Sequence, residues 1–522
     1  MNRVIHTEAP ETRLCALEKT LHLLIRIFVY SSAFYFFSFV TADTDLWGHL
    51  KFGKALYDAM AIQRVDIYSY TAFGSEWINH EWLSELVMHL VYSVLGSPGL
   101  LMGKLLVGFL IVYLLSRISF YRTFTPFVYG IVFVMCIFVM CPGFMIRPQV
   151  VTFLFAAYYM YCFHLYFEKG INLLWSLPII MVFWVNCHGG FLVGVGMFPV
   201  VAGGEYIACR LRKRDTAHLR PMVFWLVLTE AAVFVNPYGY HLLGFLYETL
   251  RIPRGVTEWN PMTVFDLSYF RFKLLSVLFL SSLFVRNRER RYGEMGIIMI
   301  ALIYALMHQR HAPVFAVVAA PYLTENISLM MQRVGLFDKI RSFSSYILLI
   351  VFLVLLISYQ IAFAGYKYVK AEWNIIVDPT EYPVYATRFL KENGIKGKIL
   401  VPFEWGEYAI WKLYPDCRVS IDGRFRTVYP EEVLKDHFEA AGDESRLKDL
   451  LEKYPADIIL GRQNRLYQRL ISSQKKWIYV YSDRTSIIFL KEEEFHGDVL
   501  KKFRKRQLIY PDKETKPLVY FP

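Results

Sequence analysis

Two carboxylates stand in Asp43-Thr44-Asp45-Leu46-Trp47-Gly48-His49, directly after a long apolar run over residues 21–42. A carboxylate at the mouth of an apolar helix can work on the wet side while staying within reach of a lipid headgroup. Further along the same stretch comes Trp77-Ile78-Asn79-His80-Glu81-Trp82. Two acidic clusters on one segment suit two tasks. One carboxylate can take a proton from an attacking hydroxyl. Another can orient the nucleophile or hold a divalent cation through oxygen ligands, with Asp45 and Glu81 as candidate ligands. Asp45, Asp43 and Glu81 are therefore the candidate catalytic residues. The structural alternative is a carboxylate that caps a helix, with tryptophans as interface anchors.

Basic groups complete the set. Arg147 in Met145-Ile146-Arg147-Pro148-Gln149 and Arg310 in His308-Gln309-Arg310-His311 both follow apolar segments. Each can fork onto a phosphate with two parallel hydrogen bonds, or can form a structural ion pair. His49, His80 and His188 are further candidates for binding an anionic substrate group, His188 lying beside Gly189 and Gly190. No HExxH helix and no GxSxG elbow accompanies them, so zinc-protease and serine-hydrolase chemistry lack their usual frames.

The elements that must position these residues are apolar. The chain has 522 residues, 55% of them hydrophobic and 17% aromatic, which is unlike a soluble domain. Runs of roughly 17–25 apolar residues are long enough to cross a bilayer. We read about eleven: residues 21–42, 99–116, 125–141, 150–167, 171–187, 191–209, 221–236, 267–285, 294–307, 312–326 and 344–364. The net charge of +12 does not point to nucleic acid, because the basic residues gather in short loops between these runs. The densest such loops, at 210–214 and 286–291, fall on one side of the membrane. The N-terminus then lies in the cytoplasm, and the 43–98 loop and the C-terminal region lie outside. The seven cysteines form no CxxC or disulfide framework.

The fold class expected is a polytopic α-helical membrane protein with an α/β extracytoplasmic domain. Residues 1–366 form the membrane part, including the outer loop 43–98, and residues 367–522 form the α/β domain. The clearest pieces of the latter are Lys398–Val401, Tyr408–Tyr414, Arg418–Asp422, Glu431–Ala441, Arg446–Tyr454, Asp457–Leu460 and Trp477–Leu490. Strands and helices alternating at this size predict a small mixed domain.

An Asp just after the first span, a second acidic site in the same loop, many spans and an outer C-terminal domain together resemble the GT-C superfamily of integral-membrane glycosyltransferases. More narrowly, Asp43–Leu50, His80-Glu81-Trp82-Leu83, Arg147-Pro148-Gln149 and Asn236-Pro237-Tyr238-Gly239 are similar to a bacterial GT-C-like family. Trp405-Gly406-Glu407-Tyr408 and Ile421-Asp422-Gly423-Arg424 are similar to its C-terminal domain. The resemblance implies transfer of a sugar, with inversion, from a polyprenyl-phosphate-linked donor to a glycan, lipid or protein acceptor at the extracytoplasmic face of a bacterial inner membrane. It selects Asp45 over Asp43 as the base. The topology, for its part, brings Asp45, Arg147 and Arg310 to one face, where Asp45 and at least one of these arginines should line one pocket. No nucleic acid is expected as a partner. The chain lacks a WWDxG-type acceptor motif, so transfer to asparagine is disfavoured. The competing readings are a flippase or transporter for lipid-linked sugars and a non-catalytic membrane assembly protein. Charges that avoid the centres of the apolar runs argue against a transport path.

Overall fold

A computed structural model describes residues 10–122, 124–251, 257–263, 265, 267–285, 291–335, 343–464, 476–492, 496–511 and 518–521. Arg286, Arg288 and Arg290 of the second basic loop lie outside these residues, as do Lys339 and Arg341.

Every apolar run carries a helix. In chain order the helices are α1 (Pro10–Phe37), α2 (Leu46–Ala59), α3 (Trp82–Tyr121), α4 (Pro126–Met140), α5 (Gln149–Lys169), α6 (Ser176–Cys187), α7 (Phe191–Arg212), α8 (Leu219–Ala232), α9 (His241–Arg251), α10 (Phe270–Ser282), α11 (Tyr292–Met307), α12 (Ala312–Val334) and α13 (Phe343–Lys370). Among the described residues, seven helices are long and apolar enough to cross a membrane, and α6 and α11 are shorter apolar helices. Local chemistry sets their ends. Pro126 opens α4, where its missing N–H costs nothing. Gly170 and Gly335 close α5 and α12 in the left-handed conformation. The 43–98 segment holds α2 and the first part of α3. Gly96, at φ 63°, bends α3 where the sequence suggests a turn before the span.

The chain divides into two compact units that interleave along the sequence: residues 1–39, 101–239 and 256–372, and residues 40–100, 240–255 and 373–522. The first is the helical unit. Its helix ends are tied by ion pairs. Arg122, after α3, meets Glu294 of α11, Glu168 of α5 at 3.3 Å and Glu325 of α12 at 3.8 Å. Arg291 meets the same Glu168 at 2.9 Å and Glu325 at 2.5 Å. Lys104 of α3, 4% exposed, is an exception to the apolar centres: its ammonium donates to the Phe39 carbonyl at 2.7 Å.

The second unit contains β1 (Ile376–Val377), α14 (Val384–Glu392), β2 (Gly397–Leu400), α15 (Gly406–Leu413), β3 (Cys417–Val419), α16 (Glu431–Ala440), α17 (Glu444–Lys453), β4 (Ile458–Arg462), β5 (Trp477–Ser482), β6 (Ser486–Lys491), α18 (Gly497–Arg504) and β7 (Val519–Tyr520). Five strands form a sheet in the order β3-β2-β4-β6-β5, with β2 parallel to both neighbours and β6 antiparallel to both of its own. Trp477–Leu490 is a hairpin rather than one strand. Asp483 makes the turn, accepting the Thr485 and Ser486 N–H groups at 2.8 and 2.7 Å.

The 43–98 segment belongs to this unit's core. Phe52, Tyr68, Ala72 and Trp77 pack in one buried cluster with Phe389, Ile399, Trp405, Ile410, Val419 and Ile421. Backbone bonds join the same segments: Tyr70 N–H donates to the Val419 carbonyl at 3.0 Å, and Val419 N–H donates to that of Tyr68 at 3.1 Å. Phe52 therefore does the work of a core residue. Phe52→Ala should destabilise this unit by about 3–5 kcal/mol, as Phe389→Ala should. The check is a comparable drop in the apparent melting temperature of both detergent-solubilised variants; a Phe52→Ala protein that melts like wild type would contradict the shared core.

Candidate functional site

Asp45 is the residue before α2, the usual place for a cap, yet its side chain makes no capping hydrogen bond. Asp43 takes the structural task. It is buried, and its Oδ1 accepts the Asp45 N–H at 3.1 Å. Asp45 itself is half-buried, and its Oδ1 accepts the Thr44 hydroxyl at 3.2 Å. The two acids of one motif thus differ: Asp43 forms the turn, and Asp45 stands at the cap position without capping.

What faces Asp45 comes from the far end of the chain. Glu407, in the first turn of α15, is buried, and its Oε2 accepts the Gly48 N–H at 3.0 Å. Two glycines clear the space. A Cβ at Gly48 would lie 2.3 Å from the Glu407 carboxyl carbon. One at Gly423 would lie 2.5 Å from Glu407 Oε1 and 3.3 Å from Asp45 Oδ1. Burial, then the Asp45 and Asp422 charges, push the Glu407 carboxyl well above its ordinary value near 4.5, against the opposing pull of Arg424 and the Gly48 N–H. Of this pair, Glu407 is thus the carboxyl whose charged form the fold disfavours.

Beneath this pair lies a closed charge cluster. Arg424 donates from Nε and Nη2 to the two Asp422 oxygens at 2.9 and 2.7 Å. Its Nη1 pairs with Asp66 at 2.7 Å. Tyr429 donates to Asp422 at 2.6 Å. The guanidinium lies 4.9 Å from the Trp77 ring centroid and 5.2 Å from those of Phe52 and Tyr68. Burial alone would lower the Arg424 pKa, but Asp422, Tyr429 and Asp66 outweigh it and hold the pKa well above its ordinary value.

His49 and the second acidic cluster complete this side. His49 Nδ1 lies 3.4 Å from Glu85, whose other oxygen accepts the Asn79 amide at 2.6 Å. Burial would lower the His49 pKa, but Glu85, Glu81 and Asp45 raise it above its ordinary value. Glu81 lies 3.8 Å from His80 Nε2. So Asp43, Asp45, His49, His80 and Glu81 all stand in the second unit, with His49 under the influence of both Asp45 and Glu81.

The remaining candidates stand in the helical unit. Arg147 pairs with Glu258 at 3.3 Å. Arg310 lies 4.6 Å over the Trp259 ring, and His308 donates from Nδ1 to the Trp259 carbonyl at 2.8 Å. Glu258, Arg271, Gln309 and Arg310 line one cleft. The 257–259 segment thus joins the two predicted arginines and adds Arg271. His188 stands apart from this cleft's lining. Its Nδ1 accepts the Gly190 N–H at 3.0 Å and contacts the Thr152 hydroxyl at 2.9 Å, so a neutral ring carries its proton on Nε2.

Protein-family models and curated proteins give no match to this chain. Solved structures do. The apo oligosaccharyltransferase of Archaeoglobus fulgidus matches with a TM-score of 0.56 at 13% identity, over 91% of this chain and 74% of that one. AglB from the same organism, in complex with an inhibitory peptide and a dolichol-phosphate, gives 0.55 at 12% identity, over 91% and 75%. ArnT from Cupriavidus metallidurans bound to undecaprenyl phosphate is a weaker likeness, with a TM-score of 0.45 at 9% identity, over 93% and 99%. The chain has a GT-C fold. At these identities the likeness establishes architecture, and the chemistry must be argued from the residues.

Glu407, Asp422 and Arg424 entered the sequence reading only within the motifs similar to the family's C-terminal domain, with no role at the site. Their signal was the pairing of a glycine with a carboxylate in Gly406-Glu407 and in Asp422-Gly423. Glu407 also gives a pH test. Its folded pKa exceeds its unfolded one, so from near 4.5 upward the unfolded chain releases a proton that the folded chain keeps, and stability falls with rising pH until the folded pKa is passed. Glu407→Gln removes that linkage and keeps an acceptor for Gly48. The variant should melt increasingly above wild type as pH is raised from near 4.5 toward the raised folded pKa, the window in which only the unfolded carboxyl is ionised. Parallel melting curves across that range would mean that Glu407 is ionised in the fold.

Proposed function

We propose that this chain is a membrane glycosyltransferase that moves a sugar from a polyprenyl-phosphate-linked donor to a hydroxyl acceptor at the extracytoplasmic face of a bacterial inner membrane. One observation carries this reading. In a GT-C fold, the carboxylate at the mouth of the first span occupies a cap position without capping, and it faces a second, buried carboxyl whose pKa is raised. Asp45 orients the acceptor hydroxyl and takes its proton. The acceptor oxygen bonds to the anomeric carbon from the side opposite the phosphate. The carbon–oxygen bond to phosphate breaks, and polyprenyl phosphate leaves with the electron pair. The anomeric centre is inverted.

Glu407 has the opposite role. Burial, with the Asp45 and Asp422 charges, favours its protonated form, which can donate a hydrogen bond to Asp45 or to a substrate hydroxyl without adding a second negative charge. A divalent cation held by Asp45 and Glu81 would supply positive charge at the leaving phosphate. The N-terminus is assigned to the cytoplasm and residues 373–522 to the outer side, from the basic residues at 210–214.

Arg310 and Arg271 are the proposed phosphate ligands. Two guanidinium groups lining one cleft neutralise charge that grows as the phosphate leaves. Arg147 is assigned to hold Glu258, and through it the cleft wall. AglB was solved with dolichol-phosphate and ArnT with undecaprenyl phosphate, ligands of the class proposed here.

Asp45→Asn should lower turnover of polyprenyl-phosphate-sugar donors by about 10²–10⁴ while the purified protein keeps its melting temperature. Polyprenyl phosphate released from a panel of such donors in nanodiscs measures this. Near-normal release by the variant would remove Asp45 from the mechanism. If wild type turns over no donor yet carries lipid-linked sugar across proteoliposomes, the transporter reading replaces this one.

Arg310→Ala should weaken binding of polyprenyl phosphate about 10–100-fold, the loss expected for a charge-assisted contact. Arg147→Ala should weaken it less. Competition against a photoreactive polyprenyl phosphate reports both. Equal, unchanged binding in the two variants would place the phosphate elsewhere.

A further inference from the structure

Away from the proposed site, in the helical unit, three side chains of different chemistry converge where α7 turns into α8. Glu205 and Cys209 stand one helical turn apart on α7, and His218 directly precedes α8. His218 Nε2 lies 3.4 Å from Glu205 Oε1. Cys209 Sγ lies 3.6 Å from the same oxygen and 4.0 Å from the same nitrogen. Three ligand atoms on a tetrahedral zinc ion, at bond lengths of about 2.3 Å to sulfur and about 2.0–2.2 Å to nitrogen and oxygen, are separated by about 3.4 Å for N–O and about 3.6 Å for pairs with sulfur. The observed triangle matches one face of that tetrahedron with at most a small inward movement of the thiol.

We propose that Glu205, Cys209 and His218 bind a zinc-class transition metal. A thiolate and a carboxylate bring two negative charges, which balance a divalent ion with a neutral imidazole. Sulfur, nitrogen and oxygen donors together favour zinc over the hard cations magnesium and calcium. Cys209 is 1% exposed, whereas the His218 and Glu205 side chains are 41% and 29% exposed, so the fourth position opens to water. The His218 backbone is itself anchored, because its carbonyl accepts the Tyr166 hydroxyl. The metal would pin the end of α7 to the start of α8 across the 213–218 turn. This site is independent of the glycosyltransferase reading and stands whether or not that reading holds.

The test uses the full chain in detergent, purified without a histidine tag, stripped with a chelator and titrated with Co²⁺ and then Zn²⁺. We expect one cobalt per chain, a thiolate-to-cobalt charge-transfer band, tetrahedral d–d absorption in the visible, and bleaching of both by zinc. Cys209→Ser should lose the charge-transfer band, and Cys15→Ser should keep it. His218→Ala, at a half-exposed position that should not disturb folding, should lose tight binding and any metal-dependent rise in melting temperature. Absence of the thiolate band in wild type, its survival in Cys209→Ser, or undiminished affinity in His218→Ala would each overturn the site and leave a simple Glu205–His218 ion pair.

Discussion

One arginine bears most of the constraint in the second unit. Arg424 is buried with two aspartates, and it reaches Asp66 on the outer loop and Asp422 on the C-terminal part of the chain. Taking such charges out of water is costly, and the cost is met only while every partner is present. Removing the guanidinium would leave two carboxylates buried together, a loss of about 3–5 kcal/mol. The rings of Trp77, Phe52 and Tyr68 enclose it, so polar and apolar contacts converge on one point.

The geometry above it follows. Asp422, Gly423 and Arg424 are consecutive, so the arginine that fixes Asp422 also fixes Gly423. Gly423 is the clearing between Glu407 and Asp45. The Glu407 carboxyl then has little water and two acids nearby, and its pKa is raised.

Most of the architecture was legible in the sequence, and the reason is physical. An apolar run of spanning length has few alternatives to a helix, and all eleven runs carry one. Asp45 was legible by its position after the first run. Its freedom from capping was not, because a capping and a non-capping aspartate share the same sequence context and differ only in where the side chain turns. Glu407 was hidden for another reason: its partner, Gly48, lies 359 residues away. The Asp483 turn was missed because an aspartate closes it where a glycine would have advertised a hairpin. Arg147 was legible as a charge, while Glu258, which holds it, stood unmarked in a polar segment.

The shared core has a consequence for biosynthesis. Phe52, Tyr68 and Trp77 leave the ribosome early, and the sheet they pack against is made last. At synthesis rates of roughly 5–20 residues per second, the interval between Gly48 and Glu407 is on the order of tens of seconds. Throughout that time the loop holds aromatic side chains and a buried-type aspartate with nothing to bury them against. Aromatic rings in that state favour the headgroup layer. The lipid surface is therefore a natural waiting place for the nascent loop, and a chain truncated before residue 424 would leave it there.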